Sequence, residues 1–64
     1  MKFIVEIKCD NAAFEDYLCD EVARILQSVR ESLTQGGLRE VDNRQKNLRD
    51  FNGNIVGKAR WETE

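Results

Sequence analysis

The sequence NLRDFNGNIVGKARW occupies residues 47–61 and decides the fold of this chain. An Asn-Gly pair, Asn52-Gly53, stands between two strand-like runs. In that setting Asn-Gly is a strong short-range signal for a β-hairpin, because both residues tolerate the positive φ angles of a tight turn. The sequence therefore predicts two antiparallel strands that meet at Asn52-Gly53.

The register of this hairpin has two solutions. A two-residue turn places Ile55 and Trp61 together on the buried face, and we favour it for that reason. A three-residue loop instead pairs Asp50 with Asn54 and exchanges Ile55 for Val56 in the set that faces the core.

Two further elements precede the hairpin. Residues 2–9 alternate with a period of two, which is typical of a half-buried strand. Residues 12–16 predict a short irregular segment or an early helical turn. A helix is predicted from about Tyr17 to Gln35, ended by Gly36-Gly37, since apolar residues recur there at helical spacing. The expected core comprises Phe3, Val5, Ile7, Phe14, Leu18, Val22, Ile25, Leu26, Val29, Leu33, Leu48, Ile55 and Trp61.

These elements predict a single α+β domain over residues 1–64, in the order β-α-β-β. We expect a three-stranded, mostly antiparallel sheet with one long helix packed on one face. The third strand lies between the other two, or the second strand does so after a right-handed crossover. A polar connector is expected over about residues 36–46, since no apolar period is sustained there.

Composition limits the chemistry of the chain. It has 64 residues, 10 basic and 12 acidic, two Cys and no His. Histidine-based triads and metal cages are therefore excluded, and two thiols are too few for a usual zinc site. We expect no enzyme activity, no cofactor, no metal and no small-molecule substrate. Without an export signal or a long apolar run we expect no membrane segment, reduced thiols that pack as small hydrophobes, and a cytoplasmic location.

One expected surface carries a functional hypothesis. Under the favoured register, Ile4, Phe51 and Val56 form an apolar patch on the sheet face that the helix leaves open. Such patches mark interaction sites more often than they stay unused. The sequence therefore predicts a protein–protein interaction module that forms a homodimer or binds another protein.

Charge supports a second hypothesis. Residues 1–23 are acidic, whereas residues 24–60 carry a net positive charge of four. Nucleic acid is the alternative partner, since phosphates pair with cations and bases stack on aromatic rings. A sequence pI of about 5.1 opposes this alternative, because nucleic-acid domains are usually basic. The candidate contacts are Arg44, Lys46, Arg49, Lys58 and Arg60.

Three segments resemble a group of short bacteriophage and prophage proteins. They are DNAAFED at residues 10–16, EVARIL at 21–26 and LRDxNGNxVG at 48–57. The resemblance implies an accessory protein in a bacterial host cell and assigns no catalytic residues. Several relatives have a proline near the position of Leu18, where a helix would begin.

Overall fold

The computed structural model describes residues 1–41 and 44–63, which form an α+β fold. The elements in chain order are β1 (Lys2–Ile7), a short 3₁₀ turn (Ala12–Phe14), α1 (Leu18–Thr34), β2 (Gln45–Arg49) and β3 (Ile55–Glu62). The predicted β-α-β-β order is confirmed, and α1 begins and ends within one residue of the predicted limits.

The sheet has the order β1-β3-β2, and both neighbouring pairs are antiparallel. Of the two predicted strand orders, the one with the third strand in the centre is therefore correct. Phe3 of β1 lies opposite Trp61 of β3, with ring centroids 4.8 Å apart. Val5 lies opposite Ala59 on the same side of the sheet, which is the side that faces α1.

The hairpin between β2 and β3 closes through a three-residue loop, Phe51–Gly53. Asp50 N–H donates to the Asn54 carbonyl at 2.9 Å, and Gly53 N–H donates to the Asp50 carbonyl at 3.0 Å. Gly53 has φ +88°, which costs a glycine little. The favoured two-residue turn is thus wrong, because the carboxylate and backbone of Asp50 close the wider loop.

A β-bulge follows the loop and decides which side chains of β3 enter the core. Leu48 lies opposite Gly57, whereas the next residue of β2, Arg49, lies opposite Ile55. Val56 is the extra residue, and a bulge of this kind turns one side chain to the other face. The three-residue loop already places Val56 on the core side, where it is only 5 % exposed, and leaves Ile55 54 % exposed, outside the core in which we had expected it. The bulge then returns Ala59 and Trp61 to the core side, as expected.

Gly57 allows β1 to approach the bulge closely. A Cβ atom at Gly57 would collide with the carbonyl oxygen of Glu6 and lie 2.8 Å from its carbonyl carbon. Pairing continues past this point, since Lys8 N–H donates to the Val56 carbonyl at 2.7 Å. A side chain at position 57 would therefore separate the two strands.

The core lies between α1 and the strands β2 and β3. Ile25 and Val29 of α1 are almost fully buried and belong to the same cluster as the sheet residues. The buried cluster consists of Ala13, Phe14, Ile25, Val29, Leu38, Leu48, Val56 and Ala59. Five residues expected in the core are 36–54 % exposed instead: Val5, Leu18, Leu26, Leu33 and Ile55.

The segment expected as a polar connector, about residues 36–46, differs from that expectation in two respects. After Gly36, at φ +83°, Leu38 N–H donates to the Ser32 carbonyl at 3.1 Å, and the Leu38 side chain is 1 % exposed. At the other end, β2 begins at Gln45. Positions 42 and 43 of the connector lie outside the described residues.

Candidate functional site

The three residues expected to form the apolar patch do not lie together. Ile4 is half-buried on the open face, which is the sheet side away from α1, and it lies opposite Arg60. Phe51 is 65 % exposed in the hairpin loop. Val56 lies in the core because the hairpin closes through a three-residue loop, so its placement on the open face is wrong.

The five basic residues proposed for nucleic acid are divided between the two sides of the sheet. Lys46 of β2 lies on the side of α1, whereas Lys58 and Arg60 of β3 lie on the open face. Arg49 donates to the Gly53 carbonyl at 2.9 Å and so stabilises the loop. The fifth, at position 44, directly precedes β2. These cations do not converge on one groove.

The hairpin loop is held by a group of polar residues that we call the hairpin clamp: Asn11, Asp50, Asn52 and Asn54. Asp50 is only 4 % exposed, and its carboxylate accepts from the backbone N–H groups of Asn52 and Asn54, both at 2.9 Å. Asn11 adds a third bond, from Nδ2 to Asp50 Oδ2 at 2.7 Å, and accepts from Ala13 N–H through Oδ1. The clamp thus ties the 3₁₀ turn to the hairpin.

A second buried carboxylate joins the helix to the same loop. Glu21 of α1 is 6 % exposed and accepts from Phe51 N–H at 2.8 Å. The Arg24 guanidinium donates two hydrogen bonds to the Glu21 carboxylate, at 2.7 and 3.0 Å, and a third to the Arg49 carbonyl at 3.0 Å. The loop that presents the exposed Phe51 ring is therefore fixed from two sides.

Both carboxylates are ionised at neutral pH. The hydrogen bond from the Arg24 guanidinium is the largest influence on Glu21 and lowers its pKa below 4.5, although burial opposes this. Burial raises the pKa of Asp50, but the bonds from Asn54, Asn11 and Asn52 together outweigh it, so the pKa lies below 3.8. The cluster is a structural anchor whose strength depends on these negative charges.

Three separate segments of the chain, residues 10–16, 21–26 and 48–57, meet in this cluster. Asn11 comes from the first segment, Glu21 and Arg24 from the second, and Asp50 from the third. The sequence interpretation missed this convergence, since Glu21 reads equally well as a partner of the helix dipole. The preference for Asp at the first position of a turn was the one available signal for Asp50.

A largely apolar groove lies on the other side of α1, and we call it the apolar trough. Its lining residues are Cys9, Leu18, Cys19, Val22, Ala23 and Leu26, around a volume of about 380 Å³. Leu18 and Leu26 are 46 % and 45 % exposed, and Leu33 continues the exposed apolar stripe about two turns beyond Leu26. Both thiols are free, and Cys19 is exposed rather than buried as expected.

The trough lies beside β1, whose helix-facing side is only partly covered. Val5 faces the helix side yet remains 36 % exposed, whereas its partner Ala59 is fully buried. Sequence periodicity assigned the whole apolar stripe of the helix to the core, because it shows which residues share a face but not how wide a surface the sheet covers. A single helix is too narrow to cover all three strands, so the β1 edge of the sheet stays partly exposed on the helix side.

Comparisons with family models, curated proteins and solved structures gave no match to this chain. Within residues 1–41 and 44–63, no three or more His, Cys, Asp or Glu side chains lie together in a way that would hold a metal ion. In the same part of the chain, α1 is neither long nor apolar enough to cross a membrane.

Proposed function

We propose that this chain is a small protein–protein interaction module without catalysis of its own, and that its docking surface is the apolar trough with the adjoining edge of β1. The trough is the observation that carries the proposal. It combines leucine side chains that are nearly half exposed with thiols and small apolar residues. Contiguous exposed apolar surface is characteristic of binding sites, since a monomer gains nothing by keeping it in water.

The clamped hairpin supports this proposal by making the scaffold rigid. Glu21 and Asp50 fix the loop to α1 and to the 3₁₀ turn, so the helix that lines the trough has one position on the sheet. A preformed surface loses less conformational entropy on binding than a mobile one. The resemblance to phage and prophage proteins leads us to propose a bacterial host cell as the setting.

Site-specific photo-crosslinking tests the docking surface. A benzoylphenylalanine replaces Leu26 in the trough or, as the matched control, Gln27, its exposed neighbour on α1. Both variants are produced in bacterial cells and irradiated. We expect a discrete covalent adduct from position 26 and none from position 27, because only the first lines the trough.

An absence of adducts from position 26, or the same diffuse adducts from both positions, would refute the docking surface. The mass of a discrete adduct states whether the partner is a second copy or another protein. Nucleic-acid binding stays a prediction that the divided basic residues do not favour. A gel shift that weakens steeply with added salt would establish it in place of protein docking.

A further inference from the structure

We infer that the partner which fills the trough is a second copy of this chain, joined through antiparallel pairing of β1 with the partner's β1. The inference rests on the proposed function, because it names the occupant of the same docking surface. It predicts a continuous six-stranded sheet with both helices on one side. The pairing has a specific register, with Ile4 opposite the partner's Ile4.

The outer edge of β1 has no neighbouring strand within residues 1–41 and 44–63, and its Ile7 carbonyl receives a weak contact there, of 3.8 Å from Cys9 Sγ. Lys8 N–H bonds to Val56, so the even-numbered residues of β1 direct their backbone groups toward β3. Phe3, Val5 and Ile7 therefore direct theirs outward. This edge has neither a proline nor a bulge, the devices that commonly prevent strand addition.

The opposite edge of the sheet is protected. β2 has the sequence Gln-Lys-Asn-Leu-Arg, in which four of five residues are polar. Arg24 reaches over from α1 and donates to the Arg49 carbonyl at 3.0 Å, which occupies a backbone acceptor of this edge. Self-pairing is thus favoured at β1 and disfavoured at β2.

Charge complementarity selects the register at β1. With Ile4 on the two-fold axis, Lys2 lies opposite the partner's Glu6, and the same pair recurs on the other side of the axis. Within each chain, Lys2 lies beside Glu62 and Glu6 beside Lys58. On the open face, laterally neighbouring side chains of four successive strands then alternate between negative and positive charge. The order is Glu62, Lys2, the partner's Glu6 and the partner's Lys58.

Neighbouring registers lack this complementarity. A shift of two residues in one direction places Lys2 opposite the partner's Lys8, which brings like charges together, and Ile4 opposite the partner's Glu6. A shift in the other direction leaves Glu6 beyond the paired region. A register shift by an odd number of residues would put the apolar side chains of one β1 on the same face of the sheet as the charged side chains of the other β1.

The same two-fold axis brings the helices together over the trough. It runs perpendicular to the sheet, so both copies of α1 lie on one side, and each directs Leu18, Leu26 and Leu33 toward the axis. These three side chains are 38–46 % exposed in the single chain. Phe3 lies opposite the partner's Val5 beneath them. A specific interface needs about 1,000 Å², so the inference requires helix contact in addition to strand pairing.

Light scattering with a charge exchange tests this arrangement on the full chain. We expect a particle of twice 7.4 kDa at micromolar concentration. Lys2→Glu and Glu6→Lys each bring like charges together at both of the symmetry-related contacts between positions 2 and 6. Each should raise the Kd of the dimer about tenfold. The double variant restores opposite charges between the copies and should recover the dimer. Inside each chain the double variant only adds repulsion, so recovery reports pairing between copies.

A cysteine at the axis tests the register independently. In a non-hydrogen-bonded antiparallel pair the Cα atoms are about 4.5 Å apart, within disulfide range. Ile4→Cys should therefore cross-link two chains through the substituted positions under mild oxidation. Lys58→Cys, exposed on the same face but one strand further in, and the unaltered chain with its two thiols are the controls.

A chain that stays monomeric at high micromolar concentration overturns this inference, while a discrete adduct of another protein at position 26 leaves the proposed function standing. A dimer that the double variant does not recover, or that Ile4→Cys does not cross-link, overturns the register. Absence of adducts at position 26 together with a monomer overturns both proposals.

Discussion

The close approach of β1 to the bulge makes Gly57→Ala the most informative single substitution. The added Cβ would collide with the Glu6 carbonyl oxygen and lie 2.8 Å from the Glu6 carbonyl carbon and 3.0 Å from Ile7 Cα. All three obstacles are backbone atoms of β1, which no side-chain rotation can remove. The strands must separate at the point where the Lys8–Val56 bond is made.

The expected cost follows from these contacts. Overpacking of a well-packed site costs about 1–3 kcal/mol, and we expect the upper end, about 3 kcal/mol, because backbone must move. A chain of this length has about 3–10 kcal/mol of unfolding free energy in total. Gly57→Ala should therefore remove a third or more of it and lower the Tm by about 12–24 °C.

Urea unfolding followed by circular dichroism, at one protein concentration, measures this loss. Gly37→Ala is the matched control, since a Cβ there meets Ser32 atoms at 3.8–3.9 Å, which is ordinary contact. The control should be neutral or slightly stabilising, because alanine restricts the unfolded chain. If the two variants unfold within about 0.5 kcal/mol of each other, the proposed constraint at the bulge is wrong.

Three further predictions concern the hairpin loop. Gly53→Val should cost about 1–3 kcal/mol, because φ of +88° strains a β-branched residue, and Gly53→Asn should cost less in the same urea titration. The free energy of unfolding should fall as the pH drops below about 4.5. The folded-state pKa values of Glu21 and Asp50 lie below 4.5 and 3.8, so the unfolded chain takes up protons before the folded chain does. Thermal scans that give a constant Tm down to about pH 3 would contradict this. Phe51→Ala should change the free energy of unfolding by less than about 0.5 kcal/mol, since the ring is exposed while Glu21 holds the backbone; a larger loss in urea would reveal a contact of the ring.

Local chemistry made most of the fold predictable. The period of two in β1, the apolar spacing in α1 and the Asn-Gly signal each depend on neighbouring residues, and each predicted element exists. The hairpin register depended on more distant groups. Asp50 closes a wider loop with help from Asn11, and the bulge at Val56 then restores the expected face for the rest of β3.

The candidate site was less predictable because it depends on how elements cover one another. Leu18 and Leu26 have the spacing of core residues, and only the position of α1 over β2 and β3 leaves them exposed. In the same way, Leu38 enters the core from a polar segment because Gly36 reverses the chain there. Sequence periodicity contains no information on either placement.

The hydrogen bonds of the hairpin clamp and the neighbouring Glu21–Phe51 bond also predict an order of folding. Those from Asn52 and Asn54 to Asp50 span two and four residues, whereas that from Asn11 spans 39 and the Glu21–Phe51 bond spans 30. Short loops close first because they lose little entropy, so we expect the hairpin to form before α1 settles on it. A helix docked one turn out of place could not accept the Phe51 N–H bond, so the Glu21 carboxylate would lose its backbone partner. We therefore expect the Glu21–Phe51 bond to favour the native position of α1 over misdocked positions during folding.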